Sequence, residues 1–371
     1  MGLRAIKNKL MNDFKKYISD KRRAAETPQN IVNSDGSCNF GTFKSEFPNL
    51  DFSAIKKPTR APQWFTKYKL TRWQAAEVHL KEGILLAAIC HMGLFGMILN
   101  VFFDKRQKKV FSWTADLPAS KTVIAPNLLC GSVSEGKNKR ARFSCRNNLE
   151  AGELALLGEH NSADGKIEYD FKFERISLPS IVSIPFGENR PVYSQKDFFK
   201  ASGKLTVNGE ELSADEDTVA ILDDHRGFYP RKMHFDWATT LGRQLNGNKE
   251  YFALNLTQNQ SVNPFDFNEN LIWREGRTDL LPPVIFERNI STKKGLKKGE
   301  KCVWSVSDKY DMVRAELALD DAFRMEIHAA VVKIEYYIVF GVLSGYVRDE
   351  DGNKLSLDGL VGMGEDKTML F

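Results

Sequence analysis

From residue 83 onward the apolar residues of this chain recur with period two, and that alternation sets the class of fold. Ile167, Tyr169, Phe171 and Phe173 alternate with polar neighbours, as one face of a half-buried strand does. Residues 83–90 and 94–103 read as long apolar strands separated by a turn at Met92-Gly93, and Lys109 to Trp113 continues the meander. Short strands fit Arg140–Cys145 and Glu153–Leu157, and later Lys204–Val207, Thr218–Leu222, Lys232–Trp237, Tyr251–Thr257 and Val284–Arg288. The longest β run spans Met325 to Val347. It closes on an Asp349-Glu-Asp-Gly352 turn, with a return strand at Leu355–Leu357. No repeat of solenoid or propeller period is present. The pattern predicts an all-β protein of two barrel or barrel/sandwich lobes.

Helical spacing is confined to the start of the chain. Leu3, Ile6, Leu10, Phe14, Tyr17 and Ile18 recur at helical intervals with Lys and Arg between them. This predicts a basic amphipathic arm over residues 1–30, either docked on the body or making weak contact with an anionic membrane through residues 3–23. Pro179, Pro185 and Pro191 fall close together with Gly187 and Asn189. Prolines so spaced exclude a central strand, so a lobe boundary is placed there. The expected division is a first β lobe over 31–185 and a second over 186–371.

Charge narrows the partners. The chain carries +5 overall, but its first 25 residues hold eight bases and two acids, so the remainder sums to −1. A neutral body argues against nucleic acid as a partner. The five cysteines (Cys38, Cys90, Cys130, Cys145, Cys302) are scattered without a C-x-x-C spacing, which excludes a zinc knuckle and implies reduced thiols. No signal-peptide core and no run of 18 apolar residues occurs. The expected location is cytoplasmic, or peripheral to a membrane if the arm binds lipid. There is no phosphate-binding loop, dinucleotide fingerprint, H-E-x-x-H or G-x-S-x-G motif, and no cofactor is expected.

One stretch concentrates ionisable and aromatic side chains. Residues 222–242 contain Asp223, Asp224, His225, Tyr229, His234, Phe235, Asp236 and Trp237, with Gly227 and Pro230 marking a turn between two strands. Alternation places His234 and Asp236 on one face of the second strand, and Met233, Phe235 and Trp237 on the other. If the polar face lines a desolvated pocket, Asp223, His234 and Asp236 are the candidate acid–base groups. If the aromatic face does, Tyr229, Phe235 and Trp237 wall an apolar cavity, the favoured choice because apolar faces are buried. Asn255, Asn270 and Trp273 add amides and an indole suited to orienting a ligand. A metal set drawn from Asp223, His225, His234 and Asp236 is conceivable. Such clusters on turns are usually hydrogen-bonded structure, and no metal is assigned.

These residues carry a resemblance. Asp223 to Gly227, Phe235-Asp-Trp237-Ala238 with Gly242, Leu254-Asn-Leu256 and Asn270-Leu-Ile-Trp273 resemble the signature blocks of domain of unknown function 2804. The resemblance extends from Asn39-Phe-Gly41 and Lys67–Trp73 to Tyr346–Gly352 and Gly362-x-Gly-Glu365. It departs at Phe235, where the family pattern favours Trp. More distantly the layout is similar to the lipocalin-like (calycin-like) group of carotenoid hydratases and tocopherol cyclases. This implies β-barrel lobes and a hydrophobic small-molecule ligand, but no catalytic residues. The leading expectation is a protein that binds or carries a lipid-like or isoprenoid ligand in a β-barrel cavity. The alternative is a cofactor-independent hydratase, isomerase or cyclase acting on such a ligand, and a second alternative is a non-catalytic interaction module.

Overall fold

The structure, a computed structural model, describes residues 15–163, 165–243, 250–295, 300–329 and 332–370. All strand pairs in it are antiparallel, and they form two sheets. The first follows the path Lys109–Pro118, Phe95–Asp104, Gly83–His91, Thr71–His79, Val219–Gly227, Pro191–Val207, Gly165–Arg175, Glu153–Ser162, Ala141–Asn148, Ser132–Lys137 and Thr122–Val123. It curls until its last strands meet Gly83–His91 and Phe95–Asp104, giving a nearly closed barrel. The second runs Arg277–Leu280, Leu271–Arg274, Tyr251–Gln258, Lys232–Arg243, Val361–Leu370, Val332–Arg348, Val313–Ala329, Val303–Ser307 and Ile285–Arg288, a curled half-barrel.

The long apolar runs have a physical cause. In Gly83–His91, Leu85, Ala87 and Ile89 fill the barrel interior with Phe143, Phe171 and Phe199. The alternate residues Ile84, Leu86, Ala88 and Cys90 pack outward against Ile338, Phe340 and Met363 of the second sheet. A strand covered on both faces has no solvent side to keep polar. The Phe103 and Phe340 rings stack across this contact at 5.0 Å. Gly362 lies in register with Gly341, and a Cβ there would stand 2.4 Å from the Thr239 carbonyl oxygen. The glycine cluster near the C-terminus thus lets three strands approach closely beside the inter-sheet contact.

Two expectations are corrected. The arm is not α-helical where it is described. Residues 15–19 are irregular and Asp20–Arg22 forms a single 3-10 turn. Tyr17 is buried against Phe265 and Tyr310, and the buried Arg22 donates to the Asn270 carbonyl oxygen at 2.8 Å, so these anchors hold the chain extended against the 263–270 loop. Leu3, Ile6, Leu10 and Phe14 lie outside the described residues. The chain passes from the first sheet to the second at residues 228–231. The prolines sit at hairpin ends, with Pro185 opposite Pro191, where the ladder needs no further N–H donors. The Met325–Val347 run is the end of a hairpin, in which Val313–Ala329 pairs with Val332–Arg348.

Candidate functional site

A cavity of about 280 Å³ opens where the two sheets face one another. Thr71–His79, Pro191–Val207 and Val219–Gly227 supply one wall, through Trp73, Val192 and the charged residues described below. Lys232–Arg243 and Val361–Leu370 supply the other, through Met233, Phe235, Trp237 and Met369. The mouth is formed by Phe65 and Tyr68 of the 3-10 segment Gln63–Lys69 and by Leu94 and Phe95 of the neighbouring hairpin. Leu94 is 67% exposed and Trp64, packed beside Phe65, 73%. The entrance is therefore greasy as well as the interior.

Four ionisable groups meet on the first wall. In Val219–Gly227 the face that carries Ala220 and Leu222 packs into the barrel, so alternation turns Asp223 and His225 outward to the cavity. Lys196 stands opposite Asp223 in the ladder. Its ammonium donates to Asp223 Oδ1 at 2.7 Å and to Glu269 Oε2 at 2.8 Å, and lies 5.0 Å from the Trp237 ring centre. His225 places Nδ1 3.1 Å from Asp223 Oδ1 and Nε2 3.5 Å from Glu269 Oε2, and Ser194 donates to Glu269. Burial opposes charge on each member, but the pairing outweighs it. His225 and Lys196 bring the Asp223 carboxyl down to about 2, and Asp223 brings His225 up to about 9. Lys196 and His225 hold Glu269 well below the usual carboxylate range. At neutral pH the set is two cations and two anions.

The second wall adds Glu365 and Lys367. Burial pushes Glu365 up to about 7, against the lowering effect of Lys367 and of the Tyr336 hydroxyl, which donates to its Oε1 at 2.5 Å. A carboxyl with this environment is half protonated near neutrality and can give or take a proton. Asp223 and Lys196 also act on it electrostatically, so the two walls form one charged end in an otherwise apolar space.

The comparisons with known proteins agree with this architecture. Residues 22–371 match a domain of unknown function, DUF2804. The chain belongs to the DUF2804 family. Its fold is also similar to that of CghA, solved with Sch210972, at 11% identity and a TM-score of 0.50, over 94% of this chain and 97% of that one. Kievitone hydratase from Nectria haematococca aligns at 13% identity and a TM-score of 0.48, over 81% of this chain and 88% of that one. Among curated proteins none matches in sequence. At such identities the likeness to CghA is one of fold.

The residues expected to bind a ligand or act on it fall at several depths around the cavity. Asp223, Tyr229, Phe235 and Trp237 line it. Asn255 lies behind the wall, accepting from Trp237 Nε1 at 2.6 Å and donating to the Glu269 carbonyl oxygen at 2.7 Å, so it fixes both neighbours. Asn270 braces the same loop, accepting from the Thr257 amide at 2.6 Å and donating to the Pro282 carbonyl oxygen at 2.9 Å. Trp273 is buried away from the cavity beside Phe198, donating to the Leu178 carbonyl oxygen at 3.0 Å.

His234 and Asp236 occupy the opposite face of their strand from Phe235 and Trp237 and do not reach the cavity. Asp236 is held there by Arg288, and His234 Nε2 lies 3.2 Å from its Oδ2. The aromatic face is the one that lines the pocket, because Met233 and Trp237 pack into the inter-sheet core. The conceivable metal set is split by the same facing. His234, Asp236 and Asp366 do come within 4.8 Å of one another, but the Arg288 guanidinium pairs with both carboxylates and takes the place a cation would need.

Sequence reasoning did not single out Lys196, Glu269 or Lys367. They lie far apart in the chain and share no spacing. The available signal was a Lys-Asp pair inside the apolar Pro191–Val207 strand, and a Glu-Asp-Lys run inside the last one.

Proposed function

We propose that this protein is a cofactor-independent enzyme that transfers protons to and from a hydrophobic small molecule held between its two sheets, as a hydratase, isomerase or cyclase does. The observation that carries this reading is Glu365, a carboxyl poised near neutrality on the wall of a largely apolar cavity that the ionised His225–Asp223 pair also lines. Glu365 is the group that gives or accepts the proton. His225, cationic at neutral pH, stabilises negative charge developing on the ligand, and Lys196, Asp223 and Glu269 fix its orientation and charge. A carrier accounts for the apolar lining but has no use for several buried charges, whose desolvation costs several kcal/mol per ion.

The test uses purified protein in deuterium oxide with a pooled extract of apolar metabolites, read by mass spectrometry. Conversion should appear as a molecule that gains deuterium or the mass of water. Glu365→Gln should lose this by about 10²–10⁴-fold while still retaining the ligand. Ligand that co-purifies unchanged, with no mass shift in either protein, would return the reading to a carrier.

A further inference from the structure

Beyond its lowering effect on Glu365, Lys367 is not used in the proton transfer described above, and its surroundings are unusual for a lysine. It is 8% exposed and lines the cavity. Its ammonium is enclosed by three aromatic faces, 4.4 Å from the Tyr336 ring centre, 4.9 Å from Trp73 and 5.5 Å from Phe235. Among the described residues no carboxylate lies within 4.0 Å of it and no hydrogen-bond acceptor is supplied to it, whereas Lys196 is engaged by both Asp223 and Glu269. Cation–π contacts offset part of the cost of burying an ammonium but leave its three N–H donors without acceptors. A buried ion without a counter-ion is expensive to keep. Lys367 lines the cavity, where a ligand oxygen can supply the acceptor.

Resting on the reading of the cavity as a ligand site, we infer that Lys367 is the recognition point for an anionic oxygen, a carboxylate, phenolate or enolate, carried by a flat unsaturated ligand. The rings that enclose the ammonium give the rest of such a ligand aromatic surface to stack on. The oxygen then pairs with Lys367 inside a low-dielectric space, where a charged hydrogen bond is strong. Glu365 stands two residues along the same strand, on the same face. A ligand anchored by its oxygen on Lys367 therefore presents the adjoining carbons to the proton-transfer carboxyl. Lys367 is in this sense a specificity residue, and Glu365 acts on what it has positioned.

The experiment is calorimetric titration of the whole protein at pH 7 with 2-naphthoate and with its neutral isostere 2-naphthamide. The expected result is that naphthoate binds at least tenfold more tightly. Lys367→Met should erase the preference while leaving naphthamide binding in place, because a methionine is at home among aromatic rings. Lys367→Arg should restore it. Equal binding of the two probes, or a preference that survives in Lys367→Met, overturns the inference and leaves the cavity reading intact. If neither probe binds, the cavity reading falls and the inference falls with it. Because Lys367 forms no salt bridge among the described residues, Lys367→Met should also unfold at a temperature close to the parent's, and a large drop would mark the lysine as a structural element instead.

Discussion

The strand Val219–Gly227 carries two ionic clusters one residue out of step, and they have opposite character. Asp224 and Arg226 lie on the face shared with Ala220 and Leu222. There the guanidinium meets both carboxylate oxygens, at 2.7 and 3.0 Å, in a closed bidentate pair. Asp223 and His225 lie on the other face, shared with Lys196 and Glu269 across the cavity wall, and His225 keeps a fifth of its side chain open to the cavity. The first cluster satisfies itself. The second leaves groups that can meet a ligand. A two-residue period is enough to separate structural charge from chemical charge on a single strand.

The closed pair is the more costly of the two to disturb. Arg226→Ala strands the Asp224 carboxylate in the interior, and urea denaturation should show a loss of about 3–5 kcal/mol, with no change in ligand preference if the protein is assayed where it is folded. A loss under 1 kcal/mol would mean that the pair is not sealed from water.

The open side is sharpened by pH. His225 is raised to about 9 in the folded chain, so it contributes stability that is complete below its unfolded value near 6.5 and is lost as pH rises through 9. The parent should lose about 3 kcal/mol more than His225→Gln between pH 6.5 and 9.5, and parallel curves for the two proteins would remove His225 from the ionised set. Glu365 carries the same sign at lower pH, with a contribution that fades between about 4.5 and 7. Asp223, lowered to about 2, instead loses its contribution only as pH falls below about 4.

The smallest effect is expected at His234. It is half-buried outside the cavity, and its contacts are Thr368 and the already paired Asp236. His234→Ala should change stability by less than about 1 kcal/mol and leave conversion unchanged. A large loss of activity would restore the polar face of residues 233–237 as the chemical one.

The all-β class and most strands were legible because alternation survives wherever one side of a strand meets water or a polar space, as in Gly165–Arg175. The facing of residues 233–237 was legible for the same reason. Alternation failed at the N-terminal arm. There Tyr17 fits the helical spacing in sequence, yet burial of Tyr17 and Arg22 against the 263–270 loop holds the chain irregular up to a single 3-10 turn. The prolines at 179–191, read as excluding a central strand, mark hairpin ends. The site was legible only in part. Asp223, Tyr229, Phe235 and Trp237 cluster in sequence, whereas Lys196, Glu365 and Lys367 are assembled by pairing between distant strands and Glu269 is brought in by a loop. Nothing local distinguishes Glu365 from an exposed acid, because its unusual proton affinity comes from burial that only the two-sheet contact creates.

Carbon-13 NMR of labelled glutamate reads that proton affinity directly. The carboxyl resonance that disappears in Glu365→Gln should titrate with a midpoint near 7. A midpoint near 4.5, the ordinary value for a glutamate in water, would show that the cavity does not hold a carboxylic acid ready for proton transfer and would contradict the account.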